Sequence, residues 1–327
     1  MRARPAPYAE LTPDVVLEAV ERTGLGTDGR VLALNSYENR VYQVGLEDAA
    51  PVVVKFYRPG RWSDAAILEE HAFARELAEA EIPLVAPLEH AGRTLHAYAG
   101  FRYAVFPRRG GRWPDLEAKD DRLWMGRYLG RLHRVGAARR FEHRPTLAVE
   151  WLARDPARFI LGGDWLPSYL VDRYRDTVDA LVEVIEARFE VAAPLRTFRI
   201  HGDCHRGNVL WTDGGPHFVD LDDCMTGPAI QDLWMLLAGS PAEMSAQLRD
   251  LLEGYEQFAV FDRTELVLVE PLRALRMIHY AAWLARRWTD PAFPQAFTWF
   301  GTPRYWEEHV RQLGEQLETL DAAGIDP

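Results

Sequence analysis

The chain has 327 residues, with 38 Lys and Arg against 49 Asp and Glu, so its formal net charge is −11. Apolar residues make up 48% and charged residues 27%, an ordinary globular balance that excludes disordered, collagen-like and low-complexity classes. The acidic sum argues against nucleic acid as a partner, because binding phosphates requires a basic footprint.

The length suits two domains or lobes. Among the cationic residues only Lys55 and Lys119 are lysines. A compact ammonium and a forked guanidinium are not interchangeable, so a lysine kept in an arginine-biased chain directs attention to Lys55. Two cysteines, Cys204 and Cys224, cannot build a disulfide framework and predict a reduced, cytoplasmic protein. Met1 to Asp14 has no apolar core segment after Arg2 and Arg4, so no secretory signal is expected, and no stretch has the roughly 18 uncharged apolar residues of a membrane span. The expectation is a monomer, with no membrane and no nucleic acid as partner.

In chain order, Thr12-Pro13-Asp14 opens a helix that Gly24 ends. A polar turn, Asn35 to Asn39, precedes a strand at Arg40 to Val44. A continuous apolar strand, Val52 to Tyr57, carries Lys55. Ser63-Asp64 opens a helix to about Ala80, and strands at Thr94 to Tyr98 and Phe101 to Phe106 reverse at Ala99-Gly100. After a turn-rich Pro107 to Gly111, helical periodicity predominates at Leu123–Val135, Tyr169–Phe189, Asp232–Ala238, Ala246–Phe258, Thr264–Trp288 and Trp306–Leu320. The exception is a β interlude from Thr197 to Asp223. The predicted fold class is α+β and bilobal: a small β-rich N-lobe over 1–106 and a large, mainly helical C-lobe over 107–327.

The polar chemistry gathers in that interlude. Val209-Leu210-Trp211 and His217-Phe218-Val219 flank a Gly-containing turn and read as a hairpin. Antiparallel pairing brings Asn208 at its entry close to Asp220 at its exit, and Asp203 lies five residues earlier on the feeding loop. Two carboxylates and an amide around one cleft suit phosphoryl transfer from Mg·ATP. One carboxylate takes the acceptor's proton; the Asn oxygen and the second carboxylate hold Mg²⁺. Such a site also needs a strand lysine paired with a helix glutamate to align ATP, and Lys55 is so placed. Glu70 is its expected partner, because Ala66, Ile67, Phe73, Ala74 and Leu77 make its helix face apolar. Glu69, sharing a face with Glu76, is the weaker candidate.

These residues resemble the protein-kinase-like superfamily, in its aminoglycoside-phosphotransferase and choline-kinase branch. The catalytic-loop pattern His-x-Asp-x-x-x-x-Asn is met by His201, Asp203 and Asn208, and the post-hairpin Asp by Asp220. Tyr128 to His133 and Gly227-Pro228-x-x-x-Asp232-Leu233 fit the same branch. The chain is further similar to the stress response kinase A family of bacterial serine/threonine protein kinases. Leu34 to Tyr42, Val53 to Pro59, His201 to His205, Gln231 to Leu237 and Arg287 to Pro294 carry that likeness. The resemblance implies serine or threonine of protein substrates as acceptor, Asp203 and Asp220 as catalytic residues with Asp203 the proton acceptor, Asn208 and Asp220 as magnesium ligands, Lys55 as the phosphate lysine and Ser36 as a contact in the ATP-covering turn. That turn lacks glycine, so Ser36 and Asn39 are expected to replace backbone amides as phosphate donors.

Several residues also have plainer readings. Asp222 fits a second metal contact or a hairpin-end cap equally. Asp232 suits helix capping or holding the catalytic loop, His201 suits packing in that loop, and the cysteines suit small buried fillers. His201, Asp203 and His205 alternate and would bind Zn²⁺ or Mn²⁺ if they lay on a strand, as in a metallohydrolase. Gly202 and Gly207 favour a loop instead. A small alcohol, such as an aminoglycoside, choline or homoserine, is the alternative acceptor. Arg273, Arg276, Arg286 and Arg287 in the expected acceptor region disfavour a cationic one.

Overall fold

A computed structural model describes residues 6–321; the first five residues, part of the stretch read as lacking a targeting signal, lie outside it. The chain opens with α1 (Pro13–Glu21), whose first turn is capped by Thr12 Oγ1 accepting from the Val15 amide. Strands β1 (Thr27–Ala33), β2 (Arg40–Leu46) and β3 (Val52–Phe56) follow, then α2 (Asp64–Glu79), β4 (His96–Tyr98) and β5 (Phe101–Pro107). The strands form one antiparallel sheet ordered β1-β2-β3-β5-β4. Ala99 and Gly100 both have positive φ (47° and 82°), the geometry a two-residue hairpin turn needs to match the twist of its strands. β1 has no counterpart in the sequence expectations. It is a mostly exposed edge strand with an Asp-Gly pair inside it and an irregular register between Thr27 and Val31.

The rest is mainly helical, as expected: α3 (Lys119–Gly136), α4 (Asp155–Leu161), α5 (Val171–Val191), α6 (Ile230–Trp234), α7 (Pro241–Tyr255), α8 (Val269–Arg287), α9 (Ala292–Ala296) and α10 (Pro303–Asp321). Two short antiparallel pairs interrupt it. β6 (Phe198–Ile200) pairs with β9 (Met225–Gly227), and β7 (Val209–Thr212) with β8 (Gly215–Phe218). The buried core of this lobe packs α3 directly on α7. A Cβ on Gly126 would collide with the Leu251 carbonyl, so the glycine sets the interhelical distance.

Three helix expectations change. Asp232–Ala238 shrinks to the five-residue α6. α7 starts at Pro241, earlier than Ala246, because Ser240 and Glu243 form a reciprocal capping box. Thr264–Trp288 divides into a 3₁₀ turn (Arg263–Leu268) and α8. Pro271 lies in the first turn of α8, where its ring prevents the α-helix from continuing backwards. Among the described residues no helix is long and apolar enough to cross a membrane.

The α10–α5 contact buries one titratable group among aromatic rings. His309 is stacked on Tyr305 and lies beside Tyr174 and Trp306. Burial pushes its pKa down to about 4. The folded state therefore binds fewer protons than the unfolded state between pH 4 and 6.5, so stability is retained above 6.5 and lost as pH falls through that window. The loss amounts to about 3 kcal/mol. Urea denaturation from pH 7 to pH 4 should accordingly have a flatter pH dependence in His309→Leu; an unaltered slope would refute this.

Candidate active site

The site forms where β3, α2 and the interlude converge. β3 is fully paired on both sides, with Lys55 opposite Val41 and Ala104. Its side chain is 7% exposed. α2, capped by Ser63 Oγ on the Ala66 amide, presents Glu70 inward at 3% exposure. Lys55 Nζ lies 3.4 Å from Glu70 Oε1, 2.9 Å from Asp220 Oδ1 and 3.1 Å from Asp222 Oδ1. Burial opposes the charge on Lys55, but the carboxylates of Asp220, Asp222 and Glu70 outweigh it and raise its pKa well above the ordinary value. Glu70 is itself pushed up by burial. Glu69 turns away from Lys55, and its carboxylate accepts the backbone amides of Glu142, His143 and Arg144.

The catalytic-loop candidate runs from β6 to β7. Asp232 holds its start: Oδ2 accepts the His201 amide and Oδ1 the Gly202 amide, both at 2.8 Å, and His133 Nε2 lies 3.0 Å from Oδ2. Gly202 has φ 84°, and a Cβ there would strike the Asp223 carbonyl. His201 Nε2 lies 3.0 Å from the Val219 carbonyl, and His205 Nδ1 accepts from the Gly207 amide. His201 is thus tied to Val219 while only His205 approaches Asp203, its Nε2 3.4 Å from Oδ2, so the three do not converge as a zinc set would. Among the described residues no group of three or more His, Cys, Asp or Glu is arranged to hold a metal ion.

Asn208 Nδ2 donates to the Asp203 carbonyl at 2.9 Å, and its Oδ1 makes no hydrogen bond among the described residues. The Val219 amide donates to the Asn208 carbonyl at 3.0 Å, which continues the hairpin and sets Asp220 next to Asn208 as the spacing predicts. Asp220 adopts left-handed φ 61° and ψ 73°, a conformation rare for residues other than Gly, Asn and Asp. Strain of this kind clusters at functional sites. Its side chain is 47% exposed and, among the described residues, paired only with Lys55. Asp222, by contrast, is buried at 3% exposure and bound by Lys55 and Arg61, so its place is inside an ion-pair cluster. Despite burial, Lys55, Arg61 and Arg144 hold its carboxyl well below the usual range. Cys204 and Cys224 are fully buried free thiols.

The turn from Asn35 to Asn39 closes the site from above. Ser36 lines the cavity and its Oγ donates to the Asn39 carbonyl at 3.3 Å. Asn39, expected as a phosphate donor, lines the same cavity. Its side chain is 3% exposed and Oδ1 accepts the Arg58 amide, so it ties the turn to the segment after β3. The turn is also anchored to the helical lobe. Arg40 and Arg58 share the Asp290 carboxylate at 2.8 Å each, and Glu38 accepts from Trp283 Nε1 at 2.6 Å and pairs with Arg58 and Arg287. The cavity below holds about 790 Å³ and runs from Val41, Val53 and Phe106 past the polar cluster to Arg276, Tyr280 and Trp283 on α8.

Sequence reasoning missed the arginines. Arg61 reaches Asp222 and Asp223, and Arg276 Nη1 lies 2.5 Å from Asp203 Oδ1. Burial alone would raise the Asp203 carboxyl, but His205 and Arg276 hold it well below the ordinary carboxylate range. In the sequence Arg276 stands out only as part of a cationic acceptor region; no local pattern marks it as a partner of Asp203.

The chain matches the description "phosphotransferase enzyme family" over residues 30–267. It is 45% identical to stress response kinase A of Escherichia coli O157:H7, covering 96% of this chain and 94% of the relative. It is 44% identical, over the same shares, to a Salmonella typhimurium protein named serine/threonine protein kinase RdoA. Among solved structures, amicoumacin kinase hAmiN in complex with AMP-PNP, Ca²⁺ and Ami superposes with a TM-score of 0.71 at 21% identity, covering 95% of this chain and 94% of that one. That likeness bears on the fold, which is the expected kinase-like one.

Proposed function

The chain belongs to the phosphotransferase enzyme family, and within it to the stress response kinase A group; from that premise we propose that it transfers the γ-phosphoryl group of ATP to serine or threonine hydroxyls of proteins in a bacterial stress response. What carries the proposal is one arrangement: the buried Lys55 ammonium held by Glu70 and Asp222 at 3.4 and 3.1 Å, with half-exposed Asp220 beside it. A point charge fixed in this way suits the α and β phosphates of a nucleotide.

The donor set fits a divalent cation. The free Oδ1 of Asn208 and the accessible carboxylate of Asp220 are hard oxygen ligands, the type Mg²⁺ takes alongside substrate phosphates. Asn208 and Asp220 would hold the ion, which when bound would neutralise charge on the nucleotide's phosphates. Lys55 exchanges Asp220 for phosphate oxygens and keeps Glu70 and Asp222 as its tether. Ser36 supplies a hydroxyl from the covering turn. Asp203 accepts the acceptor's hydrogen bond and then its proton, while Asp232 keeps the loop from shifting. The proposed setting is the cytoplasm, which two free buried thiols suit, and the proposed state is a monomer.

A small-molecule alcohol is the second reading. The cavity of about 790 Å³, walled in part by Trp151, Tyr280 and Trp283, has the volume of a small-molecule pocket. The amicoumacin kinase shares the fold. Incubation with γ-labelled ATP and Mg²⁺, alone and with cell extract, separates the two: label in protein bands supports the first, label confined to small molecules the second. Asp203→Asn is expected to lower either signal about a hundredfold, the contribution of a positioned base. Undiminished labelling would refute the role given to Asp203.

A further inference from the structure

The part of the cleft wall formed by α8 is cationic and aromatic. Arg276, His279, Tyr280 and Trp283 occupy one helix face at i, i+3, i+4 and i+7, and all line the cavity. Trp151 packs edge-on against His279 at 5.7 Å. Burial, with Arg286, Arg61 and Arg276 nearby, pushes the His279 pKa down to about 4, so this ring is neutral at physiological pH.

The carboxylates lining the cavity are already committed. Glu38 pairs with Arg58 and Arg287, Glu70 and Asp220 with Lys55, Asp222 and Asp223 with Arg61, and Asp203 with Arg276. None is left on the α8 wall for a cationic acceptor.

Both oxygens of Asp203 are occupied. Oδ1 takes Arg276 Nη1 at 2.5 Å, while Oδ2 has Asn208 Nδ2 and His205 Nε2, each at 3.4 Å. Arg276 is the removable member. Its side chain is 44% exposed, and its other polar contact is Met235 Sδ at 3.9 Å. A hydroxyl that hydrogen-bonds to Asp203 at Oδ1 takes the guanidinium's place. The displaced guanidinium then needs a new anion, because a charge-assisted hydrogen bond is costly to break without a substitute.

We propose that Arg276 selects the acceptor: a hydroxyl is phosphorylated most readily when its own molecule carries a carboxylate or phosphate that draws Arg276 away from Asp203. This rests on the phosphotransfer reading above. The anion can come from acidic residues flanking a serine or from a small hydroxy acid, and the same chemistry serves both.

Label transfer by the full chain from γ-labelled ATP with Mg²⁺ is measured on two matched pairs: a serine peptide flanked by Glu against the same peptide flanked by Gln, and glycerate against glycerol. The acidic member of at least one pair should be preferred about tenfold in kcat/KM, the effect of one charge-assisted hydrogen bond. The pair that shows the preference identifies the source. Arg276→Gln should bring the ratio near one, and Arg276→Lys should keep part of it. Because each ratio is taken within one variant, loss of folded protein cancels.

A ratio near or below one in the unaltered chain overturns the proposal, as does an unchanged ratio in Arg276→Gln. A raised KM for ATP with the acceptor ratio intact also overturns it, by assigning Arg276 to the nucleotide. So does transfer to neither pair by protein that consumes ATP. Protein that consumes no ATP refutes the phosphotransfer reading instead.

Discussion

Asp220→Asn is expected to fold normally and lose ATP turnover by at least about a thousandfold, the several kcal/mol that charge neutralisation at a metal clamp supplies. Asparagine is the informative replacement because position 220 is left-handed, with φ 61°. Asn tolerates that conformation about as well as Asp, so the backbone is undisturbed and only the charge is lost. Asp220→Ala would add about 1 kcal/mol of backbone strain and confuse the two effects. Lys55 keeps Glu70 and Asp222 in either variant, so its buried ammonium is not abandoned. Steady-state ATP consumption with Mg²⁺, alongside thermal unfolding, checks the expectation. Turnover within tenfold of the parent would remove Asp220 from the proposed metal site.

The largest stability effect should come from Asp290. This carboxylate is 3% exposed and accepts from Arg40 through Oδ1 and Arg58 through Oδ2. Asp290→Ala leaves two largely buried guanidiniums with one anion fewer, and breaking a buried pair in this way costs about 3–5 kcal/mol. Arg58 retains Glu38, which places the expected loss nearer 3 than 5. Asp290→Asn preserves one acceptor oxygen of the two and should lose less. Urea denaturation of the three proteins at neutral pH measures the order. A loss under about 1 kcal/mol in Asp290→Ala would mean that water solvates the guanidiniums despite their burial.

The parts of the site that local pattern could reveal are those written within one element or one hairpin. Glu70 is legible because five apolar neighbours surround it at helical spacing, and the structure buries it beside Lys55. Asn208 and Asp220 are legible because hairpin pairing is local, and the Val219 amide meets the Asn208 carbonyl. Asp203, Asn208 and Asp220 gather as their spacing requires. The arginines are not legible in the same way. Arg61 lies 161 positions from Asp222, and Arg276 lies 73 from Asp203. An arginine seeking a distant carboxylate looks in sequence like any surface charge. α7 is different, since Ser240 followed by Glu243 is a readable start signal that apolar periodicity alone overlooks. The long-helix expectation at 264–288 errs where Pro271 overrides periodicity.

The Asp290 contact has a consequence for how the protein is made. Arg40 and Asp290 are 250 positions apart, yet the segment from Ser36 to Arg40 is held in place through that carboxylate. Chains emerge from the ribosome at about 5–20 residues per second, and early segments fold first. The β-rich lobe can therefore collapse long before its covering turn has an anchor, and that turn remains unfinished until residue 290 has been synthesised. Nascent and prematurely terminated chains should hold every strand of the sheet and still lack a completed site. Phosphoryl transfer would then begin only in chains extending past that point.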